Sequence, residues 1–375
     1  MKFTIERNVL AKSLAHMQNI VERRPTVAIM SNVKLALSSD AEGDWLNMSA
    51  TNSEIELIER LPVKIAEAGD LTASCLKLHD VVRKIPDGVQ IECALGGKGQ
   101  LQLAAGRAKF SLPTLPSADF YNMPEGDLPG KFTIPVAVMK SIIGKTMFAA
   151  ALDEVKHYFN SIYLFSQQKD GKNWLMAAAT DGHRLAATAQ ELPADAKEIA
   201  GIIVPRKTIQ ELNRLLDDAA SEDMAVEVSP TQIRFTMAGV VMNSRLIDAT
   251  YPEYERVIPP LADKVAEINS DDFHQVVERV AVFAEKSSRI KISFSKDKLV
   301  LGASSSDEGS AEEDLEISYD GPNFETYFNY RYLLDIVAQT RGGRIKCSVQ
   351  DTLSPALFMS DKDEQSRYIL MPMLV

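Results

Sequence analysis

Apolar residues recur along this chain in two rhythms that follow one another. Lys2-Phe3-Thr4-Ile5 alternates polar and apolar residues as a half-buried strand does, and the run Asn8 to Ile20 returns apolar residues every three or four positions, like one face of a helix. Lys131-Phe132-Thr133-Ile134 repeats the phrase and leads into a second helical run, Val136 to Phe148, and Ala266-Glu267-Ile268-Asn269 is a looser third copy before Asp272 to Phe283. The copies begin roughly 130 residues apart, too far for a stacking solenoid unit, so each opens a domain.

Each third continues alike. A second helix is predicted at Leu76 to Ile85, Pro205 to Leu216 and Tyr330 to Thr340, each behind a short strand. Between the two helices lie strand-like stretches, Asp44 to Thr51, Asn173 to Thr180 and Lys298 to Ala303. The expected fold is α+β: three tandem domains, each of two helices and several antiparallel strands, with boundaries at 1–127, 128–254 and 255–375.

Prolines mark the joints. Pro113, Pro116, Pro124 and Pro129 crowd the first, and Pro252, Pro259 and Pro260 the second; proline fixes its own φ and drives the preceding residue out of the helical region, so both stretches should run extended. The one low-complexity segment, Ser304 to Glu313, is serine-rich and acidic and reads as a solvated hairpin loop.

Composition narrows the class. With 375 residues and 45% apolar content the chain can bury three separate cores. Its start, Met1 to Lys12, lacks the apolar segment of a signal peptide, which points to the cytoplasm. Cys75, Cys93 and Cys347 are scattered and odd in number, as expected of reduced thiols rather than of a disulfide framework or a zinc site. A net charge of −11 argues at first against a polyanionic partner. Its distribution reverses that: the six helical windows with their flanks, residues 7–24, 76–85, 135–148, 205–216, 271–289 and 330–344, hold about 18 Lys and Arg against about 8 Asp and Glu, which leaves the strands and loops strongly acidic.

No catalytic pattern stands out. Gly96-Gly97-Lys98-Gly99 lacks the spacing of a phosphate-binding loop, and neither a G-x-S-x-G elbow nor an H-E-x-x-H helix occurs. His16, His79, His157, His183 and His274 show no ligand spacing, so neither metal nor cofactor is expected. Asp181 and His183, two apart, form the one conceivable acid-base pair, but Asp181-Gly182 is also an ordinary turn signal.

That segment carries a resemblance. Thr180-Asp181-Gly182-His183-Arg184-Leu185, Val204-Pro205-Arg206-Lys207, Tyr251-Pro252-Glu253-Tyr254, Arg24-Pro25-Thr26 and the ending Met371-Pro372-Met373 closely resemble the bacterial DNA polymerase III beta subunit family, the replicative sliding clamps. The resemblance spans the whole chain. It implies two chains joined head to tail into a closed six-domain ring, helices inside and sheets outside, that encircles duplex DNA and tethers the polymerase without making or breaking a bond. Basic helices would then line the hole and acidic strands would face outward.

By the same resemblance, DNA contacts fall to Arg24, Arg83, Lys140, His157, Tyr158, Arg206 and Lys207. Partners of the family (the polymerase catalytic subunit, the clamp loader, other polymerases and repair proteins) insert a short peptide into a cleft. Matching positions are Phe159, Thr180, Gly182, His183, Arg184, Leu185, Pro252, Arg256, Val257, Asn329, Tyr332, Leu353, Pro355, Leu370, Met371, Pro372, Met373 and Leu374. Phe159, Ser287 and Leu374 depart from residues frequent in relatives, and Leu353 and Pro355 fall on a variable rim, so the pocket should persist while the preferred peptide is expected to differ. The homodimer contact would involve Arg107, Phe110 and Leu112 of one chain against Val282 and Phe283 of the other. The alternatives are a peptide-binding hub of the same fold serving repair or toxin resistance, and a hydrolase using Asp181 and His183.

Overall fold

A computed structural model describes the chain apart from residues 98, 125, 154–155, 193–195, 197, 220–221, 306, 308 and 375. Six α-helices are present among the described residues: α1 (Arg7–Ile20), α2 (Cys75–Val82), α3 (Val136–Thr146), α4 (Arg206–Asp217), α5 (Ser270–Ala281) and α6 (Tyr330–Ala338). All six lie where apolar periodicity predicts them. α3 ends earlier than expected, because residues Met147–Ala149 tighten into a 3-10 turn. In the third repeat both helices start on an asparagine cap: the Asn269 side chain accepts from the Asp271 and Asp272 amides, and that of Asn329 from the Arg331 amide.

The chain forms two compact units. The first holds residues 1–140, 195–199 and 207–246. Its strands pair side by side in one series of 13, in which Val240–Arg245 of the second repeat lies antiparallel to Ile55–Pro62 of the first. On α1, Leu10, Leu14 and Met17 are buried at helical spacing, and α2 buries Cys75, Leu78 and Val82.

The second unit holds residues 141–194, 200–206 and 247–375. It has a sheet of 8 strands, in which Arg184–Glu191 of the second repeat pairs antiparallel with Asp363–Leu370 of the third, and a separate sheet of 4. Phe273, Val276, Val277 and Val280 of α5 and Leu333, Ile336 and Val337 of α6 are buried. In both units, therefore, sheet hydrogen bonding runs straight through the junction of neighbouring repeats.

Two expectations are corrected. Ser304 to Glu313 is not a loop: Lys298–Ser305 and Gly309–Glu316 are paired strands with Ser305 opposite Gly309, while Ser306 and Glu308 lie outside the described residues. Serine and glutamate suit this place because an edge strand with one solvated face needs backbone pairing but little apolar area. The proline-rich joints are also not extended throughout, since Ser117–Asp119 and Tyr254–Val257 form 3-10 turns. Cys75, Cys93 and Cys347 are buried free thiols, and burial pushes Cys75 and Cys93 up to about 12. No described helix is long and apolar enough to cross a membrane.

Candidate peptide cleft and basic surface

A groove of about 610 Å³ opens in the second unit, lined by residues 150–153, Lys156, Phe159, residues 181–184 and Tyr332. Its back wall is the turn between the strands Lys172–Thr180 and Arg184–Glu191. Asp181 builds that turn: Oδ1 accepts from the amides of His183 (2.9 Å) and Arg184 (3.0 Å), and Oδ2 accepts from Arg184 Nε (3.0 Å). Thr180 Oγ1 donates to the Arg184 carbonyl at 2.6 Å and accepts from the Gly182 amide at 3.1 Å. Gly182 has φ +88°, a left-handed conformation that favours glycine, and a Cβ there would make ordinary contact with the Phe159 ring at 3.8 Å.

Arg184 joins the wall to the third repeat. Its side chain is 8% exposed and donates to Asp335 Oδ2 and the Phe148 carbonyl, each at 2.5 Å, while Tyr332 lies beside it with its ring 4.2 Å from the guanidinium carbon. His183 stacks on Tyr332 at 6.3 Å between ring centres. The C-terminal segment is fastened beside this pair, for the Met371 amide donates to the His183 carbonyl (2.9 Å) and the Met373 amide to the Tyr327 carbonyl (2.7 Å). Beneath lies a core of Ala178, Leu185, Ile203, Tyr251, Tyr254, Leu357 and Ile369, with Tyr251 stacked on Tyr163 at 4.7 Å and 3°.

Of the residues named from sequence, Phe159, Gly182, His183, Arg184 and Tyr332 line the groove, and Thr180 holds its turn. Met371 and Leu374 are exposed, and Pro372 and Met373 half-buried. Leu185 and Leu370 belong to the core instead, at 2% and 0% exposure. Pro252, Arg256, Val257, Asn329, Leu353 and Pro355 lie off the groove lining. Arg256 pairs with Glu253, Asn329 caps α6, and Leu353 sits exposed on a turn organised by Asp351. Sequence reading missed Leu152, Asp153 and Lys156 as lining residues and Phe148 and Asp335 as partners of Arg184. The apolar run Met147 to Leu152 was a signal, since it outlasts α3 and ends with Leu152 80% exposed.

As an acid-base pair, Asp181 and His183 are poorly placed. Both Asp181 oxygens are engaged by neighbouring N–H groups, which makes it an organiser of the turn.

The basic residues divide. Arg24, in the loop after α1, and Lys207, on α4, are exposed with no ion-pair partner among the described residues. Arg83 pairs with Asp80 at 3.0 Å and Lys140 with Asp217 at 2.6 Å. Arg206 is structural: its Nη1 donates to the carbonyls of Met147 (3.0 Å) and Ala150 (2.9 Å). His157 is exposed and Tyr158 packs edge-on against Phe159.

Two strand edges stand out, one in each unit. Along Ala108–Leu115, residues 108–113 pair on one side only, with Gln100–Ala105, while Thr114 and Leu115 pair with Ala73 and Thr72; Phe110 and Leu112 are half-buried beside exposed Arg107 and Lys109. Gly309–Glu316 is the edge of its own sheet and carries Glu312, Glu313, Asp314 and Glu316. Phe283 packs near Gly309, and Val282 is 60% exposed.

Three family models match in order: the N-terminal, central and C-terminal domains of the DNA polymerase III beta subunit, over residues 1–124, 133–253 and 255–374. The beta sliding clamp of Caulobacter vibrioides (strain NA1000 / CB15N) is 39% identical and that of Escherichia coli (strain K12) 32% identical, with 100% of each chain covered. The solved structure of the Caulobacter crescentus beta sliding clamp has a TM-score of 0.95 at 38% identity, covering 100% of this chain and 99% of that one. A sliding clamp from Bartonella birtlesii bound to griselimycin also has a TM-score of 0.95, at 34% identity and 100% coverage of both chains.

Proposed function

From the premise that this chain belongs to the DNA polymerase III beta subunit family, we propose that it works as a DNA sliding clamp: a ring around duplex DNA that keeps a polymerase at the primer end. The observation that carries this reading is the in-order succession of three clamp domains over the full chain. The chain acts by enclosure and catalyses no reaction, and it works in the cytoplasm.

Domain limits at 1–127, 128–254 and 255–375 give three units per chain, and two chains give six. The open side of residues 108–113, with Arg107 and Lys109, meets the acidic edge Gly309–Glu316 of a second copy, while Phe110 and Leu112 cover Val282 and Phe283. The support is complementary charge on two stretches that each pair on one side only, together with apolar side chains beside both. A head-to-tail contact of this kind closes when its rotations complete a circle.

Arg24 and Lys207, exposed and without an ion-pair partner among the described residues, make the main phosphate contacts, with Arg83, Lys140, His157 and Tyr158 secondary. Such contacts carry no base readout and let the ring move along DNA. The groove beside His183 and Tyr332 takes a short partner peptide whose apolar side chains settle against Phe159 and the C-terminal methionines. Flexible methionines suit a surface that serves several partners: the polymerase catalytic subunit, a clamp loader and repair proteins.

The test compares DNA topologies. The protein is loaded by a clamp loader onto nicked circular DNA, and the complex is isolated and the circle cut once. Release upon linearisation is expected of enclosure. Retention on the cut molecule would overturn it in favour of direct binding.

A further inference from the structure

In the first unit, a second cavity of about 230 Å³ lies between α1, the strand Ile55–Pro62, the end of α4 and the hairpin residues 237–240. His16 of α1 occupies it. Its Nδ1 is 2.7 Å from Glu59 Oε1 and its Nε2 is 3.0 Å from Asp218 Oδ2. The Glu59 side chain is 5% exposed and that of His16 12% exposed. An ionised carboxylate only accepts hydrogen bonds, so an imidazole that meets one at each nitrogen must donate from both, and only the imidazolium does so.

The other charged groups facing this site are few. Lys12, on the same helix, donates to the Asp218 carbonyl at 3.1 Å. Arg60, beside Glu59 on the strand, is drawn to Asp40 and stacks over Trp45 at 4.1 Å. The hairpin contributes Met237, Ala238, Gly239 and Val240, none ionisable. Glu59 stands opposite Val240 where the sheet of the first repeat continues into the second. His16 and Glu59 thus belong to one repeat and Asp218 to the next.

We propose that His16 is a proton-operated latch on the joint between the first and second repeats: charged, it ties α1 through buried Glu59 to the end of α4, and neutral, it lets one carboxylate go. The proposal rests on the three-domain reading but not on DNA binding. Burial pulls the proton affinity of His16 down, but hydrogen bonds and charge from Glu59, then Asp218, outweigh it and hold the imidazole above its ordinary value. The His16 hydrogen bond holds Asp218 below the usual carboxylate range. A raised histidine contributes stability that is complete below the unfolded value of about 6.5 and is lost as pH rises through the folded value. Asp218 contributes above its unfolded value and fails as pH falls through its lower folded one.

Histidine-labelled protein, titrated by NMR, tests this, with the His16 resonance assigned by its loss in His16→Gln. A midpoint above that of an unfolded-peptide histidine is expected, together with a downward move of that midpoint in Asp218→Asn, whose half-exposed side chain is replaced without touching the core. Amide exchange, corrected for intrinsic rate, supplies the second readout: protection of the strands Ile55–Pro62 and Val240–Arg245 should fall as pH rises through the His16 midpoint in the natural protein and stay level in His16→Gln. A midpoint at or below the peptide value, or equal exchange profiles in both proteins, would overturn the latch. Because both readouts use the free protein, neither depends on whether it loads on DNA.

Discussion

Arg184 Nη1 and Asp335 Oδ2 meet at 2.5 Å, and through this pair the groove wall of the second repeat is bound to α6 of the third. The two ends are unequal, with Arg184 8% exposed and Asp335 48% exposed. Truncating Arg184 to Ala would strand Asp181, Asp335 and the Phe148 carbonyl, and should cost about 3 kcal/mol, the lower range for breaking a buried pair. Asp335→Asn, at the solvated end, should cost no more than about 1 kcal/mol. Denaturant unfolding of both variants measures the difference.

His183→Ala and Tyr332→Ala should each weaken binding of a fluorescent partner peptide by at least about fivefold, as loss of an aromatic anchor costs over ~1 kcal/mol. Polarisation titration reads this. No hydrolytic turnover should appear in the natural protein or be lost in either variant.

Gly182→Ala places a side chain at φ +88° and 3.8 Å from Phe159. The left-handed conformation alone should cost about 1 kcal/mol, and the added methyl narrows the groove. Thermal melting and peptide affinity should therefore fall together.

Deletion of residues 371–375 removes the strap held by the His183 and Tyr327 carbonyls. Peptide binding should be lost while the dimer persists in sedimentation. By contrast, Arg24→Glu should leave fold and peptide binding unchanged and slow loading, with loading less salt-dependent than in the natural protein.

Asp363 pairs with Lys145 at 2.6 Å. Burial raises its proton affinity, yet Lys145, Ser366 and the Gln365 amide hold the carboxyl below its usual range. Its contribution is therefore present above the unfolded value of about 3.9 and lost as pH falls through the lower folded value. Lys145→Met should move the acid unfolding midpoint upward, as followed by circular dichroism.

How much of this was legible beforehand depends on distance along the chain. Helices such as Arg7–Ile20 announce themselves because burial repeats within a few residues, and the Thr180–Leu185 turn because Asp-Gly fixes local geometry. The pairing of Val240–Arg245 with Ile55–Pro62 was not legible, since strands nearly 190 residues apart leave no periodic trace of their register. For the same reason His16 read as an isolated histidine, although Glu59 and Asp218 await it in space. Arg206 read as a surface cation, and only its two carbonyl partners reveal a clasp. The family resemblance places Leu370 in the cleft, but Leu370 ends a run of three consecutive buried residues, Tyr368 to Leu370, on a strand covered on both faces, and the chain emerges only at Met371.

The sheets that run through both junctions have a consequence for anyone cutting the chain. The middle repeat alone has neighbours on two strands, Val240–Arg245 and Arg184–Glu191. Excised as residues 128–254, it would bare two rows of amide and carbonyl groups at once and should oligomerise or precipitate. A crystallisable or screenable fragment of the groove must therefore keep Asp363–Leu370 attached.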